Sequence, residues 1–211
     1  MILTRIKLDP ARRKTMMALN NPNIFHGAIE SSRPGERTRI LWRLDSLNSQ
    51  LYLLLLSENP LNTELIEKEF GYPDEKAQEK SYDRFLENIK KGSKWNFRLT
   101  ANPVFAQKSE KQGERGKVIP YASVLKRTEW LEKKALSNGF SINPEEVRIV
   151  HSDWIRFRKE GTSSPVTIKS ATYEGVLTVT DPDLFRKALV DGIGRGKAYG
   201  LGLLTVVPYH G

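Results

Sequence analysis

The sequence contains no cysteine and no long apolar run. Without thiols the chain forms no disulfide, thiolate zinc site or cysteine nucleophile, and this composition fits a reducing compartment. Apolar and polar residues alternate from Ile2 onward, so we expect neither a signal peptide nor a membrane segment. The sequence therefore predicts a cytoplasmic protein with no membrane partner.

Acidic residues are also in short supply, since 34 Lys and Arg face 25 Asp and Glu for a net charge of +9. Residues 1–43 carry nine basic and three acidic side chains, and residues 84–134 carry thirteen and five. The acidic excess is confined to residues 44–83. Two separated basic regions indicate a long anionic partner.

The order of predicted elements indicates the fold class. The first half of the chain contains one series of predicted elements. In order, these are a strand at Ile2–Leu8, helices after Asp9 and Asn21, a hairpin of two strands over 39–57, short helices over 63–89 and a strand at 95–101. The second half repeats that order: a strand at 118–121, a helix over 123–137, a long hairpin over 147–180, a helix to Val190 and a last strand over 199–207. We therefore predict an α+β protein with two tandem ferredoxin-like (βαββαβ) domains, at 1–105 and 118–211, joined by a linker at 106–117.

Histidine is the first residue type to weigh for chemistry, because only three are present. His151 falls within a predicted strand and His210 lies beside the C-terminus, so a packing role and a disordered tail are the simpler interpretations. His26 follows the start of a helix in a basic region, and an ordinary imidazole pKa of roughly 6.5 suits proton transfer at neutral pH. A lone histidine is nevertheless more often structural than catalytic.

No metal or cofactor site is predicted. The acidic residues of 44–83 are spaced as a solvated helix face, and Asp181 before Pro182 is better explained as a helix cap than as a metal ligand. We therefore expect no metal and no cofactor.

The run Gly192–Gly202 contains five glycines together with Arg195 and Lys197. Glycines such as Gly194 and Gly196 let the backbone approach a phosphate, and the two cations add positive charge. The spacing fits neither a Walker loop nor a dinucleotide fingerprint. A phosphate-contacting loop and a plain flexible turn both remain open.

Two further basic segments are candidates for binding a nucleic acid. Alternation places Arg156 and Arg158 on one face of a strand, with Lys159 following, so that the hairpin resembles a basic arm. Solvated edge-strand charges are the ordinary alternative. The same two interpretations apply to the cations of a polar loop, Lys108, Lys111, Arg115 and Lys117.

Six short segments, in order and with similar spacing, resemble the CasE family, the repeat-specific endoribonucleases of the subtype I-E Cascade complex. They are residues 3–6 with Asp9-Pro10, Asn21-Pro22 with His26, residues 97–103, Glu129-Trp130-Leu131, residues 173–177 and residues 192–204. The resemblance extends almost from end to end.

The resemblance implies two ferredoxin-like folds, recognition of a CRISPR repeat RNA hairpin, and cleavage at its 3′ base without metal. The product would stay bound, and the protein would join other Cascade subunits. His26 matches the catalytic histidine of the family. The family commonly carries a tyrosine three residues earlier, where this chain has Asn23, so a second catalytic role is unassigned.

As a mechanism we hypothesise attack by the 2′-hydroxyl of the RNA itself, with His26 as base or acid. Lys197, Arg195 or Arg33 is the candidate cation for stabilising the phosphorane. RNA affinity is expected from both basic regions and the hairpin arm, including Arg37, Arg39 and Arg98. A catalytically inactive subunit that only holds the hairpin is the main alternative. A metal-dependent nuclease and an RNA-binding protein outside CRISPR systems are less favoured.

Overall fold

The fold was analysed in a computed structural model that describes residues 1–108, 113, 116–158, 161–162 and 164–210. Eleven strands and six α-helices lie in this part of the chain. No helix among the described residues is long and apolar enough to cross a membrane.

The first sheet is antiparallel and has the strand order β2-β3-β1-β4. Its edge strand β4 is polar and fully exposed, whereas β1 lies between β3 and β4 and alternates buried with partly exposed residues. This is the strand order of a ferredoxin-like unit. Its elements are β1 (Ile2–Leu8), α1 (Arg13–Asn20), α2 (Pro22–Ser31), β2 (Leu41–Leu47), β3 (Gln50–Ser57), α3 (Glu64–Phe70) and β4 (Gln78–Ser81).

The second sheet repeats the arrangement with the order β11-β5-β10-β8, and β9 also pairs with β10. The predicted α+β class with two ferredoxin-like units is thereby confirmed. The remaining elements are α4 (Asp83–Glu87), β5 (Lys94–Ala101), β6 (Val104–Gln107), β7 (Lys117–Pro120), α5 (Val124–Ser137), β8 (Phe140–Ile142), β9 (Arg148–Phe157), β10 (Val166–Val179), α6 (Pro182–Asp191) and β11 (Leu204–Pro208).

The sequence predicted that the strand at Lys94–Ala101 would close the first unit, but it does not. It pairs with β10 and β11 and is therefore the first strand of the second sheet. The polar strand β4 takes the closing position instead, and nothing in its composition marked it as a strand. We therefore propose that the domains meet between Ser81 and Lys94 and not at 105.

The segment predicted as a linker also has a different place in the fold. Strands β6 and β7 pair with each other as an excursion between β5 and α5, so we propose that the described residues of this segment belong to the second unit and not to a linker. The predicted strand over 199–207 is shorter than expected. Lys197–Tyr199 forms a 3-10 turn, and the strand begins at Leu204 because the intervening glycines adopt positive φ angles.

Two large apolar cores lie against the sheets, and the larger one contains residues of both units. A buried ionic joint also connects the units. Arg43 on β2 is 2% exposed and donates to both carboxylate oxygens of Asp45, at 2.8 and 2.6 Å. The same guanidinium donates across the domain boundary to the carbonyls of Arg98 (2.9 Å) and Leu203 (2.8 Å) and to Oγ1 of Thr205 (2.7 Å). Because Leu203 follows the glycine-rich run, this joint fixes the base of that loop against the first sheet.

Candidate active site

Helix α2 positions His26. The side chain of Asn21 caps the helix by accepting from the backbone N–H of Asn23 at 3.2 Å, and Pro22 occupies the first helical position. Phe25 is fully buried, with its ring 5.0 Å from that of Phe70. Burial of one helix face leaves His26 partly exposed on the other, so the imidazole points away from the core.

The glycine-rich run brings a second group of residues to this helix from far along the chain. The 3-10 turn Lys197–Tyr199 packs against α2 and β2. Gly196 and Gly200 flank the turn with φ angles of 87° and 78°, which an L side chain rarely adopts. A Cβ atom on Gly200 would lie 2.7 Å from the ring of Trp42, so the close approach of loop and sheet also requires glycine there.

These elements enclose a cavity of about 380 Å³ in which cations predominate. Four of the predicted basic residues line it together with His26, whereas Glu30 is the only lining carboxylate among the described residues. Its lining residues are His26, Ile29, Glu30, Arg33, Arg37, Thr38, Arg39, Ile40, Trp42, Lys197 and Ala198. The sequence-predicted group of His26, Arg33, Arg37, Arg39 and Lys197 is therefore one spatial cluster.

Glu30 orders two of these cations. It accepts from Nη2 of Arg33 at 2.8 Å and lies 3.9 Å from Nε of Arg37. The side chain of Arg33 is 9% exposed, and its Nε is buried without a hydrogen-bond partner in the described part of the chain. One carboxylate against four cations leaves an excess of positive charge beside His26, which suits a phosphate group.

Lys197 occupies an unusual environment in the cavity. Burial first, and then the positive charge of Arg39, lower the pKa of Lys197 from its ordinary value of 10.5. Its Nζ donates to the carbonyl of Gly194 at 2.9 Å, which holds the side chain within the loop. Arg39 donates to the carbonyl of Asp191 at 3.2 Å, so both cations are tied to the second domain.

Other predicted catalytic and loop residues lie near the cavity without lining it. Asn23 is partly exposed in the first turn of α2, one turn before His26. Gly194 and Gly196 have φ angles of 85° and 87° and shape the loop from behind Lys197. Arg195 is exposed, and its backbone forms an isolated bridge with Asn102.

The remaining predicted RNA-binding residues are spread over other surfaces. Arg98 is half-exposed in a different cavity and is ion-paired with Glu174 and, at 3.5 Å, with Asp45. Lys108 and Lys117 are exposed at the ends of the β6–β7 excursion. Lys111, Arg115 and Lys159 lie outside the described residues.

The basic hairpin of β9 and β10 carries Arg156 within β9 and exposed Arg158 directly after it. The guanidinium of Arg156 lies 5.8 Å from the ring of Trp154, and Nζ of Lys169 lies 5.3 Å from the same ring. An exposed tryptophan between two cations is typical of nucleic-acid-binding surfaces. Arg156 also lines a cavity beside Trp42 and Tyr199, next to the one around His26.

Several residues in and near the cavity carry no pattern in the sequence that singled them out. Glu30 lies four residues after His26, a spacing that places the two on one helix face and could have indicated the pair. Four other residues were overlooked because they lie in apolar or glycine-rich segments where nothing marks them as binding residues: Trp42, Trp154, Lys169 and Tyr199. Among the described residues no group of three His, Cys, Asp or Glu side chains is arranged to hold a metal ion.

Taken together, the fold and the cavity define a tandem ferredoxin-like protein with a histidine inside a cationic cavity. Comparison with known proteins gives the family. The family model described as CRISPR associated protein matches residues 1–208, and the CRISPR-associated endoribonuclease Cse3 of Thermus thermophilus is 30% identical over 99% of this chain and 100% of its own. The chain therefore belongs to the family of CRISPR-associated proteins that this model describes.

Two other comparisons also find CRISPR-associated proteins. The Cascade subunit CasE of Escherichia coli is 28% identical over 118 residues, which are 53% of this chain and 57% of its own. A solved structure of CRISPR endoribonuclease Cse3 bound to a 19-nucleotide RNA superposes with a TM-score of 0.81 at 26% identity, covering 99% of this chain and 100% of that one. The two Cse3 matches each cover 99% of this chain and therefore include both the His26 helix and the glycine-rich loop.

Proposed function

We propose that this protein is an endoribonuclease that binds the repeat hairpin of precursor CRISPR RNA, cleaves at its 3′ base without metal, and stays bound to the product as a Cascade subunit. The observation that carries the proposal is the cavity that joins His26 to Arg33, Arg39 and Lys197. Full-length similarity to a relative named as an endoribonuclease supports the substrate and reaction class.

The proposed cleavage is a transesterification in which His26 transfers a proton. The 2′-hydroxyl of the nucleotide before the cut attacks the adjacent phosphorus and loses its proton, while the bond from phosphorus to the 5′-oxygen breaks. His26 accepts the first proton or donates the one that the leaving 5′-oxygen requires, and solvent water serves the other transfer. The products are a 2′,3′-cyclic phosphate and a free 5′-hydroxyl.

Stabilisation of the phosphorane is assigned to the protein's own cations. Lys197, Arg39 and Arg33 border the same cavity as His26 and place positive charge where the negative charge develops. Asn23 carries both a donor and an acceptor one turn from His26, so we propose that it hydrogen-bonds a phosphate oxygen. Arg195, Gly194 and Gly196 are proposed to contact the backbone of the RNA through the loop.

The RNA hairpin is proposed to lie along the basic surfaces outside the cavity. Arg156 and Arg158 on the hairpin arm contact phosphates, as do Arg37, Arg98, Lys108 and Lys117, together with Lys111, Arg115 and Lys159. Because an A-form stem exposes few base edges in its deep groove, its shape supplies much of the selectivity. A subunit that holds the hairpin without cleaving it is the second candidate, favoured by asparagine at position 23.

The deciding experiment compares wild type with His26→Ala on the cognate CRISPR repeat hairpin in excess EDTA, with binding measured in parallel. We expect wild type to produce a cyclic phosphate or 3′-phosphate end, and the variant to lose cleavage by at least about 100-fold while its affinity changes little. Tight binding by both without cleavage would establish the hairpin-holding subunit instead. Loss of activity in EDTA, restored by a divalent ion, would contradict a metal-free reaction.

A further inference from the structure

The ring of Tyr199 packs beside the imidazole of His26. The two ring centroids are 6.4 Å apart with an interplanar angle of 68°, an edge-to-face arrangement. Such pairs prefer this geometry because the positive edge of one ring meets the negative face of the other. Tyr199 belongs to the same 3-10 turn as Lys197, so one short turn carries both the cation and the ring.

Tyr199 also packs against the basic hairpin. Its ring centroid lies 4.8 Å from that of Phe157, the last residue of β9, and the two pack in a small cluster with Ile168 and Leu201. The backbone N–H of Tyr199 donates to the carbonyl of Gly196 at 2.8 Å. With Gly200 seated on Trp42, the turn has little freedom to withdraw the ring from His26.

A histidine on a helix needs such a neighbour for proton transfer. The backbone of α2 fixes where the imidazole begins, whereas the χ2 torsion, which is broad for histidine, decides which of the two nitrogens faces the cavity. Transfer to one oxygen requires a nitrogen within hydrogen-bond reach. The cavity wall around His26 therefore has to restrict the ring from the side.

We propose that Tyr199 is a positioning residue that sets the orientation of the His26 imidazole and ties it to the hairpin arm through Phe157. The inference rests on the proposed function. It gives the chain an aromatic neighbour for His26 from the glycine-rich loop, in addition to any role of Asn23 within α2. The aromatic ring carries this effect, since the ring makes the contact.

The test replaces Tyr199 by leucine and by phenylalanine and follows two readouts. Single-turnover cleavage is measured across pH 5–9, and the imidazole nitrogens of His26 are followed by NMR in uniformly ¹⁵N-histidine-labelled protein, assigned with His26→Ala. We expect Tyr199→Leu to slow cleavage about tenfold and to shift the apparent pKa of His26 by up to about one pH unit. Tyr199→Phe should stay within about twofold of wild type, because it keeps the ring.

Tyr52→Leu is the matched control, because Tyr52 lies on β3 in the first sheet against Arg5. Unchanged nitrogen signals and an unchanged pH profile in Tyr199→Leu would overturn the proposal, even with slower cleavage. Equal losses in the leucine and phenylalanine variants would assign the effect to the hydroxyl and would also overturn it. If wild type cleaves no RNA the proposed function fails, and the imidazole signals still decide the role of Tyr199.

Discussion

At the residue scale, Lys197 supplies positive charge to the cavity around His26 and lowers the free energy of unfolding by being buried there. Its side chain is drawn into the protein beside Arg39, and burial together with that neighbour lowers its pKa. A lysine with a lowered pKa is protonated less favourably in the folded chain than in the unfolded one. The folded protein therefore retains this positive charge at a cost to its stability.

Replacing Lys197 with methionine should separate the two effects. Below the lowered pKa the lysine charge disfavours folding, and this penalty fades as the pH rises through that pKa toward 10.5, the ordinary value. We expect Lys197→Met to equal or exceed the stability of wild type at pH 7 in urea titrations, and to lose that advantage above about pH 10. Cleavage should fall about 100-fold, because a cation facing the phosphorane is lost.

Lys133→Met on α5 serves as a control for removal of a lysine charge. If Lys197→Met cleaves RNA as fast as wild type, Lys197 has no part in the proposed reaction. A marked loss of stability at pH 7 would instead show that the bond to Gly194 outweighs the buried charge.

Sequence alone identified much of this cluster at the level of single residues. His26 stood out because histidine is scarce, and Arg33, Arg37 and Arg39 because positive charge is concentrated in residues 1–43. Lys197 stood out because it lies in the glycine-rich run. Glu30 and Tyr199 were missed. Their importance comes from contacts with Arg33 and His26, and a contact across 173 positions leaves no local pattern in one sequence.

At the scale of secondary structure elements, composition succeeded where an element has a buried face and failed where it has none. Strands β1, β3 and β10 and helices α2, α5 and α6 lie close to their predicted positions because their apolar residues follow the period of the element. Strand β4 is a polar edge strand, so its pairing with β1 could not be inferred from apolar pattern. Its omission led directly to the wrong assignment of β5.

The β9–β10 arm is the element whose role in binding can be isolated. Arg156 and Arg158 project from its exposed end, so each neutralised phosphate should add to the salt dependence of RNA affinity. We expect the Arg156→Ala/Arg158→Ala double variant to weaken binding and to reduce the slope of log affinity against log salt by about 1.5–2. Binding across 50–300 mM KCl with the wild-type repeat hairpin measures this change.

Lys80→Ala is the matched control, because Lys80 is exposed on the polar edge strand β4. It should leave the slope within about 0.3 of wild type, as expected for a lysine that meets no phosphate. A double variant with an unaltered slope would remove the arm from the RNA-binding surface.

At the scale of the whole molecule, Arg43 holds the two ferredoxin-like units in one arrangement. Its guanidinium is buried, satisfied by Asp45 on its own strand, and bonded to three oxygens of the second unit. Removing one member of a buried ion pair leaves the other charge without compensation. The carbonyls of Arg98 and Leu203 would lose a donor at the same time.

Arg43→Met should lower the free energy of unfolding by about 3–5 kcal/mol. Arg84→Met, at an exposed position on α4, should change it by less than about 0.5 kcal/mol. Urea denaturation followed by far-UV circular dichroism measures both. A loss below about 1 kcal/mol in Arg43→Met would show that apolar packing alone holds the two units together.

The division of the cationic cavity between the two units bears on when the proposed activity could begin during synthesis. His26 leaves the ribosome before Lys197 and Tyr199, which emerge only after most of the second unit has been translated. A nascent first unit has the histidine and lacks the loop that completes its surroundings. Unfinished or prematurely terminated chains are therefore expected to spare cellular RNA, so that cleavage begins only with the finished fold.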